Sequence, residues 1–419
     1  MDQGRKLKVA IAGMAVAAVA MAGCSSGTSA GDAGTANARG PITFASGKDF
    51  TKEMQALLDK WNQAHPTEKV TLLELSASPD DQRTSFVQNF QAKSSAYDVL
   101  WSDVVWTSEF ASRGWIEPLD KATYGSDAIM PAAVKTALYN GKMYGAPFIT
   151  NGGLLFYRSD LVKKPPTTWS ELNEDCKIAA QAKIDCYAGQ FSQYEGLTVN
   201  AAEAINAAGG KFLSDDGKTV AVDSPQAREG LNLLVSNFKD GNINKEAITY
   251  KEEESRRAFV EGRLMFLRNW PYVYTSANEA GSAVKGKFAV APLPGASGPG
   301  TSSLGGIDLV VSSFSKNKET AKDWIKFMQS EESQRSVVKD MNQASVRTAL
   351  YDDPELVKLA PYLPTLKQSI LTAQPRPSTP NYNAVSLAIQ KNAYAALQGQ
   401  ATVDDAIKSM AADLQKAVG

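Results

Sequence analysis

Between residues 42 and 101, three short apolar runs alternate with two stretches of helical periodicity, and this pattern restricts the fold more than any other feature. Ile42-Thr43-Phe44-Ala45 is an apolar run that ends in the loop-forming Ser46-Gly47-Lys48-Asp49. Phe50, Met54, Leu57, Leu58 and Trp61 then recur at helical spacing until His65-Pro66 stops the helix. Val70 to Leu75 reads as a second strand, Phe86, Val87 and Phe90 mark a second helix, and Tyr97-Asp98-Val99-Leu100-Trp101 reads as a third strand. Strands and helices alternating at this spacing predict βαβ units and a mostly parallel sheet. In such sheets ligands sit beyond the carboxyl ends of the strands, here Ser46 to Asp49 and Ser102-Asp103.

Beyond Tyr144-Gly145-Ala146-Pro147 the pattern changes. Leu154-Leu155-Phe156-Tyr157 reads as a buried strand, and Lys164-Pro165-Pro166-Thr167-Thr168-Trp169 as a turn into a helix. Helical stretches follow at Ala201–Ala208, Ala227–Phe238 and Ser255–Phe259, the last preceded by Glu252-Glu253-Glu254. A Gly/Pro/Ser-rich loop, 292–303, leads to a strand at Ile307–Val311. An amphipathic helix from Thr320 to Met328 has Ala321, Trp324, Ile325 and Met328 on one face, and two more helices fill Ala384 to Val418. Roughly 380 residues follow the first 40, more than one hydrophobic core usually organises, so two lobes are expected.

The formal net charge of −1 lacks the basic excess that nucleic acid or anionic lipid would require of a main partner. His65 is the single histidine and reads as a solvated residue at a helix end; with no cysteine cluster either, no metal site is expected. Neither a nucleotide loop nor an internal repeat is present, and Gly305-Gly306 is too weak a signal for phosphate binding. No cofactor is expected.

At the other end of the chain, Arg5, Lys6 and Lys8 precede an apolar run from Val9 to Ala22, too short to span a bilayer but the length of a secretory signal core. Met21-Ala22-Gly23-Cys24 resembles a bacterial lipobox, with Met21 where Leu is usual. The expectation is a signal peptide at 1–23, a lipidated Cys24, and a flexible Ser/Gly/Ala/Thr tether at 24–40. By coil scaling such a tether reaches roughly 20–25 Å. No later segment is long and apolar enough to cross a membrane, so the protein is expected to be extracytoplasmic and anchored rather than spanning. Cys176 and Cys186 remain as an even pair in an exported chain and predict a disulfide, with about 2–3 kcal/mol of stabilisation in the chain-entropy picture.

Several segments in order resemble the carbohydrate-binding group of extracellular solute-binding proteins of ATP-binding-cassette importers. They are Tyr97-Asp98-Val99-Leu100-Trp101-Ser102-Asp103 running on through Trp106 and Phe110 to Gly114-Trp115-Ile116-Glu117-Pro118-Leu119-Asp120, Tyr139-Asn140-Gly141-Lys142-Met143-Tyr144-Gly145-Ala146-Pro147 with Leu154–Arg158, Pro165–Leu172, and Gly262-Arg263-Leu264-Met265-Phe266. Arg268-Asn269-Trp270-Pro271-Tyr272 and Pro375-Arg376-Pro377 resemble the trehalose/maltose-binding members. The resemblance implies an α/β, two-lobe, periplasmic-binding-protein-like fold of type II, with the cleft between lobes joined by a hinge. Lobe I is placed at 41–150 plus 304–346 and lobe II at 151–303 plus 347–419. It also implies a monomeric, non-enzymatic receptor that takes a small carbohydrate to the permease subunits of an importer with a cytoplasmic ATPase.

A sugar presents hydroxyls around its edge and apolar C–H faces, so carboxylates, amides and Arg should ring it with an aromatic against the face. On the family pattern Asp103 would accept hydroxyl protons; a helix-capping role before Val104 is the alternative. Asn151 can donate and accept, or serve as a turn residue. Glu253 is the cleft-facing member of its acidic trio by the family pattern, although acidic residues at a helix start are favoured anyway. Trp270 is the stacking candidate against a core-packing alternative, and Tyr272 shares its face if Asn269 to Tyr272 is extended. Gly305 and Gly306 let backbone approach a hydroxyl, and Arg376 on its proline-stiffened loop offers up to five donors. Lys48, Asp49 and Arg83 complete the set from the first two strand–loop regions. Two other readings use the same residues differently: a glycoside hydrolase with Asp103 and Glu253 as acid and base, or a surface adhesin or scaffold.

Overall fold

The computed structural model describes residues 38–47 and 51–419. The expectations for the signal peptide, Cys24 and most of the tether, and those for Lys48 and Asp49, lie outside the described residues. At the end of the expected tether, Arg39 already reaches Glu68 (3.0 Å) and Asp323 (2.7 Å), and the Gly40 amide donates to Thr320 Oγ1.

Twelve strands are present among the described residues: β1 (Ile42–Gly47), β2 (Val70–Leu75), β3 (Val99–Asp103), β4 (Leu138–Tyr139), β5 (Lys142–Met143), β6 (Ala146–Asn151), β7 (Leu154–Arg158), β8 (Asp185–Ala188), β9 (Leu264–Asn269), β10 (Phe288–Ala291), β11 (Ser303–Val311) and β12 (Gln374–Pro375). The first sheet runs β12-β11-β3-β1-β2, with β6 also paired to β11. Its β2-β1-β3 portion is parallel, as the strand–helix alternation predicts. β11 is antiparallel to both β3 and β6 and parallel to β12, so the sheet is mixed. The reason is that β11 enters from a distant part of the chain and is not tied to its neighbours by a helical crossover. The second sheet runs β10-β7-β9-β8, antiparallel except for β8 with β9.

Strand alternation divides the first sheet's side chains between two cores. Phe44, Val99, Trp101, Leu309 and Val311 pack on one face, under Met54, Leu57, Leu58 and Trp61 of helix Thr51–Ala64 and Ala321, Trp324, Ile325 and Met328 of helix Lys318–Met328. Ala45, Leu100 and Val310 point the other way, toward Phe86 and Phe90 of helix Pro79–Gln91 and Phe110. His65 stacks on Trp61 at 3.7 Å between ring centroids, closing the first helix. A third and larger core surrounds the second sheet, with helices Trp169–Ala182, Glu195–Ala207, Pro225–Asp240, Tyr382–Leu397 and Val403–Val418. Thr168 caps the first of these by accepting from the Glu171 amide, while the Glu171 carboxylate accepts from the Thr167 amide. Cys176 and Cys186 form a disulfide that ties this helix to β8.

The molecule is therefore a two-lobe α/β protein. The chain passes from the first sheet to the second through residues 152–153, between β6 and β7, and returns through 292–302 into β11. Both passages lie beside the opening where the carboxyl ends of β1 and β3 face the second lobe. No described helix is long and apolar enough to cross a membrane.

Candidate ligand-binding site

A cavity of about 820 Å³ opens between the lobes. From the first sheet come Gly47, Trp101, Asp103, Asn151 and Gly305–Ile307, with Ser76–Pro79, Asp81 and Gln82 from the loop and helix after β2. From the second lobe come Tyr194–Gly196, Lys251–Glu254, Arg256, Trp270 and Tyr272. Met341–Gln343 and Arg376 also line it.

Asp103 ends β3, and its Oδ1 accepts from the Val105 amide at 3.2 Å within the turn that follows; the next helix begins only at Thr107, with Trp106 as its N-cap and no side-chain cap, so Asp103 does not cap it. The same oxygen accepts from Arg376 Nη2 at 3.0 Å. Arg376 Nη1 donates to Glu195 Oε1 at 2.6 Å, and its Nε is buried with no partner. The guanidinium was expected to offer all its donors to a ligand; two of its nitrogens are instead committed to carboxylates, and the residue is buried. Glu195 opens helix Glu195–Ala207 and accepts in addition from Tyr382 Oη (2.5 Å) and Ser386 Oγ (2.6 Å). Burial pushes the Glu195 carboxyl up from its ordinary range, and Arg376 works against that rise. For Arg376, burial acts downward but the surrounding carboxylates prevail and hold it above its ordinary value. Tyr194, the N-cap of this helix, gives it no side-chain cap. Burial raises the Asp80 carboxyl, and the backbone of Glu195 works against that rise.

On the second lobe the acidic trio lies inside helix Glu252–Val260, which begins three residues before the expected Ser255. Glu254 accepts from the Lys251 amide at 3.1 Å, and this contact sets the earlier start. All three carboxylates line the cavity. Glu252 accepts from Tyr194 Oη at 2.6 Å, and desolvation pushes its carboxyl up. Glu253 accepts from Tyr272 Oη at 2.8 Å and holds Arg256. Burial acts to raise Glu253, but these donors outweigh it and the net direction is down. Tyr272 reaches Glu253 from an α-helical backbone position, because β9 ends at Asn269; the expected extended run to Tyr272 does not form.

Trp270 follows β9 and is partly exposed at the cavity. The Arg268 guanidinium carbon stands 4.2 Å from its ring centroid. A Cβ on Gly305 would come within 3.0 Å of the indole, so this glycine makes room for the ring. Gly306 has φ +146°, a conformation that glycine adopts readily, and its carbonyl accepts from the Val104 amide. Both glycines line the cavity, and the need each meets is packing within the protein. Asn151 Nδ2 donates to Gln343 Oε1 at 3.4 Å, while Asn151 Oδ1 and Gln343 Nε2 are buried without partners. Arg83 is not part of the wall: it makes a bidentate pair with Glu109, at 2.9 and 2.6 Å.

Thus Asp103, Asn151, Glu253, Trp270, Tyr272, Gly305, Gly306 and Arg376 come together around one cavity. Sequence reasoning missed Glu195, Glu252, Tyr194 and Gln343. Glu195 precedes a helix whose apolar signal becomes strong only near Ala201, and its partners are far away in the chain. Among the described residues no three His, Cys, Asp or Glu side chains are grouped to hold a metal ion.

The model of the bacterial extracellular solute-binding proteins matches residues 45–335. The chain belongs to that family. A curated relative from Deinococcus radiodurans, described as a probable ABC transporter-binding protein, is 32% identical over 84% of this chain and 87% of its own length. Among solved structures, maltose-bound MalE3 of T. maritima is 35% identical with a TM-score of 0.85, covering 90% of this chain and 99% of that one. An ABC transporter solute-binding protein from Thermotoga lettingae, bound with α-D-tagatose, is 26% identical with a TM-score of 0.83, covering 91% of this chain and 100% of that one. Family membership makes this solute-binding protein a receptor and not an enzyme, which corrects the hydrolase reading.

Proposed function

We propose that this solute-binding protein captures an α-linked disaccharide of the trehalose or maltose type in the interlobe cleft and delivers it unaltered to an ABC permease. The observation that carries the reading is the Trp270 ring at a cavity that Asp103, Asn151 and Glu253 also line. A flat apolar face beside carboxylates and amides matches a sugar ring and its hydroxyls. The likeness to a maltose-bound protein at 35% identity favours a disaccharide, and the cavity of about 820 Å³ has room for one.

In this reading Asp103 takes hydroxyl protons while Arg376 holds it in place, and Asn151, Glu253, Tyr272 and the backbone at Gly305 and Gly306 serve the sugar edge. Lys48 and Asp49, which follow Gly47 in the sequence, stay in the proposal; Arg83 does not. The lobes, 41–150 plus 304–346 and 151–303 plus 347–419, close on the ligand about the passages between them, so that the permease can distinguish loaded from empty receptor. Cys24 carries the lipid anchor and the receptor works as a monomer. Micromolar affinity requires about 8 kcal/mol, which three or four charged hydrogen bonds and one aromatic face supply after ordering losses.

Isothermal calorimetry against a panel that includes trehalose, maltose and common monosaccharides tests the proposal. Saturable micromolar binding of an α-linked disaccharide is expected. No heat with any saccharide removes the sugar assignment, and tighter binding of a monosaccharide removes the disaccharide one.

A further inference from the structure

The ion pair that Arg268 makes behind Trp270 with buried Glu203 has no part in the site as described, yet two of the passages between the lobes, 152–153 and 292–302, and the Trp270 ring converge on it. Glu203 accepts from Arg268 Nε at 2.8 Å and from Nη2 at 2.5 Å, and Nη1 donates to Gln190 Oε1 at 3.0 Å. Arg268 is 1% exposed and Glu203 8%. On the first passage, a Cβ on Gly153 would stand 2.7 Å from Arg268 Nη2, so glycine is what leaves space for the guanidinium. On the second, the Ser303 amide donates to Glu203 Oε1 at 3.1 Å. Ser302 Oγ accepts from the Gly153 amide at 2.5 Å and fastens the two passages to each other. The remaining contact points toward the cleft, where the guanidinium lies over one face of Trp270.

We infer that Arg268, backed by Glu203, is a positioning residue for ligand capture: it fixes the plane of the Trp270 ring and links that ring to the two passages at 152–153 and 292–302. It need not touch the ligand. A planar, delocalised cation can lie against an indole and still keep two parallel hydrogen bonds to a carboxylate, which the point charge of a lysine cannot do. Displacing the ring therefore loads the same ion pair that holds Gly153 and Ser303, so a sugar pressed on Trp270 acts directly on the segments that must bend for closure. The inference rests on the proposed stacking role of Trp270 and on closure of the cleft.

Arg268→Lys tests it, since the charge opposite Glu203 survives while the plane is lost. In ligand-free protein, the near-ultraviolet circular dichroism assigned to Trp270 by difference from Trp270→Phe should change. Calorimetry with maltose and trehalose as probes should show binding weakened by about tenfold, and small-angle scattering should show less compaction on adding sugar. Gly153→Ala pushes on the guanidinium from the passage side and should give the same signature, so it decides the matter if Arg268→Lys does not fold. Wild-type affinity in the folded variant overturns the inference, whatever the spectrum shows. If neither sugar binds the wild-type protein, the sugar reading falls, and the ligand-free spectrum still decides on Arg268: an altered band supports its positioning role and an unchanged one ends it.

Discussion

Two buried arginines, each paired with a glutamate on helix Glu195–Ala207, differ in how completely their donors are used. Arg268 has all three nitrogens engaged, two by Glu203 and one by Gln190. Arg376 divides its two terminal nitrogens between Glu195 and Asp103, from opposite lobes in the proposed division, and leaves Nε buried and unpartnered. A buried polar group without a partner is costly, so satisfied networks serve as scaffold and unsatisfied ones collect where a ligand or water completes them. Nearby, Asn151 Oδ1 and Gln343 Nε2 also lack partners. These three unmet groups all belong to residues of the cavity wall, although others among the described residues, such as Trp324 Nε1 and Tyr362 Oη, lie away from it.

The comparison is broken most severely by removing one member of the satisfied pair. Glu203→Leu leaves the Arg268 charge buried and unopposed and should lower unfolding free energy by about 3–5 kcal/mol in a urea titration. A loss below 1 kcal/mol would mean that this network is not scaffold. Arg376→Gln should act mainly on binding, with about 2–5 kcal/mol of sugar affinity lost in calorimetry, because Asp103 loses its holder and Glu195 its charged partner. If its urea midpoint falls as far as that of Glu203→Leu, the division between scaffold and site fails.

The same contrast explains what the sequence made legible. Local signals sufficed wherever the relevant neighbours are three or four residues away or across one strand pair. Met54, Leu57, Leu58 and Trp61 formed the expected helix, and Ala321, Trp324, Ile325 and Met328 the expected buried stripe. The cavity side of the site was visible because Asp103 and Trp270 sit at strand ends, where an α/β sheet presents residues to ligands. Glu195 was not visible, since its role depends on Arg376, 181 positions away, and on Tyr382, 187 positions away. The strand at Ile307–Val311 was expected, but its antiparallel direction was not visible, for the same reason: its register with β3 joins residues 99–103 to 307–311 without a local turn. Arg83 lies outside the cavity wall, and its position near a strand–loop region does not reveal that Glu109 pairs with it.

Trp270→Ala comes next in size and sharpens the claim that the ring belongs to both networks. It should lose about 1.5–3 kcal/mol of sugar binding, the scale of one buried aromatic, with the fold retained. Removing the ring also uncovers the Arg268 guanidinium toward the cavity without breaking its bonds to Glu203 and Gln190. Tm should therefore move less than in Glu203→Leu. Unchanged affinity in the folded variant would assign Trp270 to packing alone.

The smallest effect is expected where the same charge chemistry sits in solvent. Asp413 joins the last two helices through Lys391 (2.9 Å), Lys416 (3.0 Å) and Asn392 (3.3 Å), and these donors hold its carboxyl down at about 2. A folded-state value below the ordinary 3.8 stabilises the fold above that ordinary value, and the contribution disappears as pH falls toward 2. The lysines lie largely in water, 68% and 77% exposed, so screening limits the contribution to about 0.5–1 kcal/mol. Asp413→Asn should thus lower stability slightly at pH 7, measured by urea denaturation, and the difference from wild type should vanish by about pH 2. A larger loss, or one that persists in acid, would show that burial is not what separates the strong ion pairs of this protein from the weak ones.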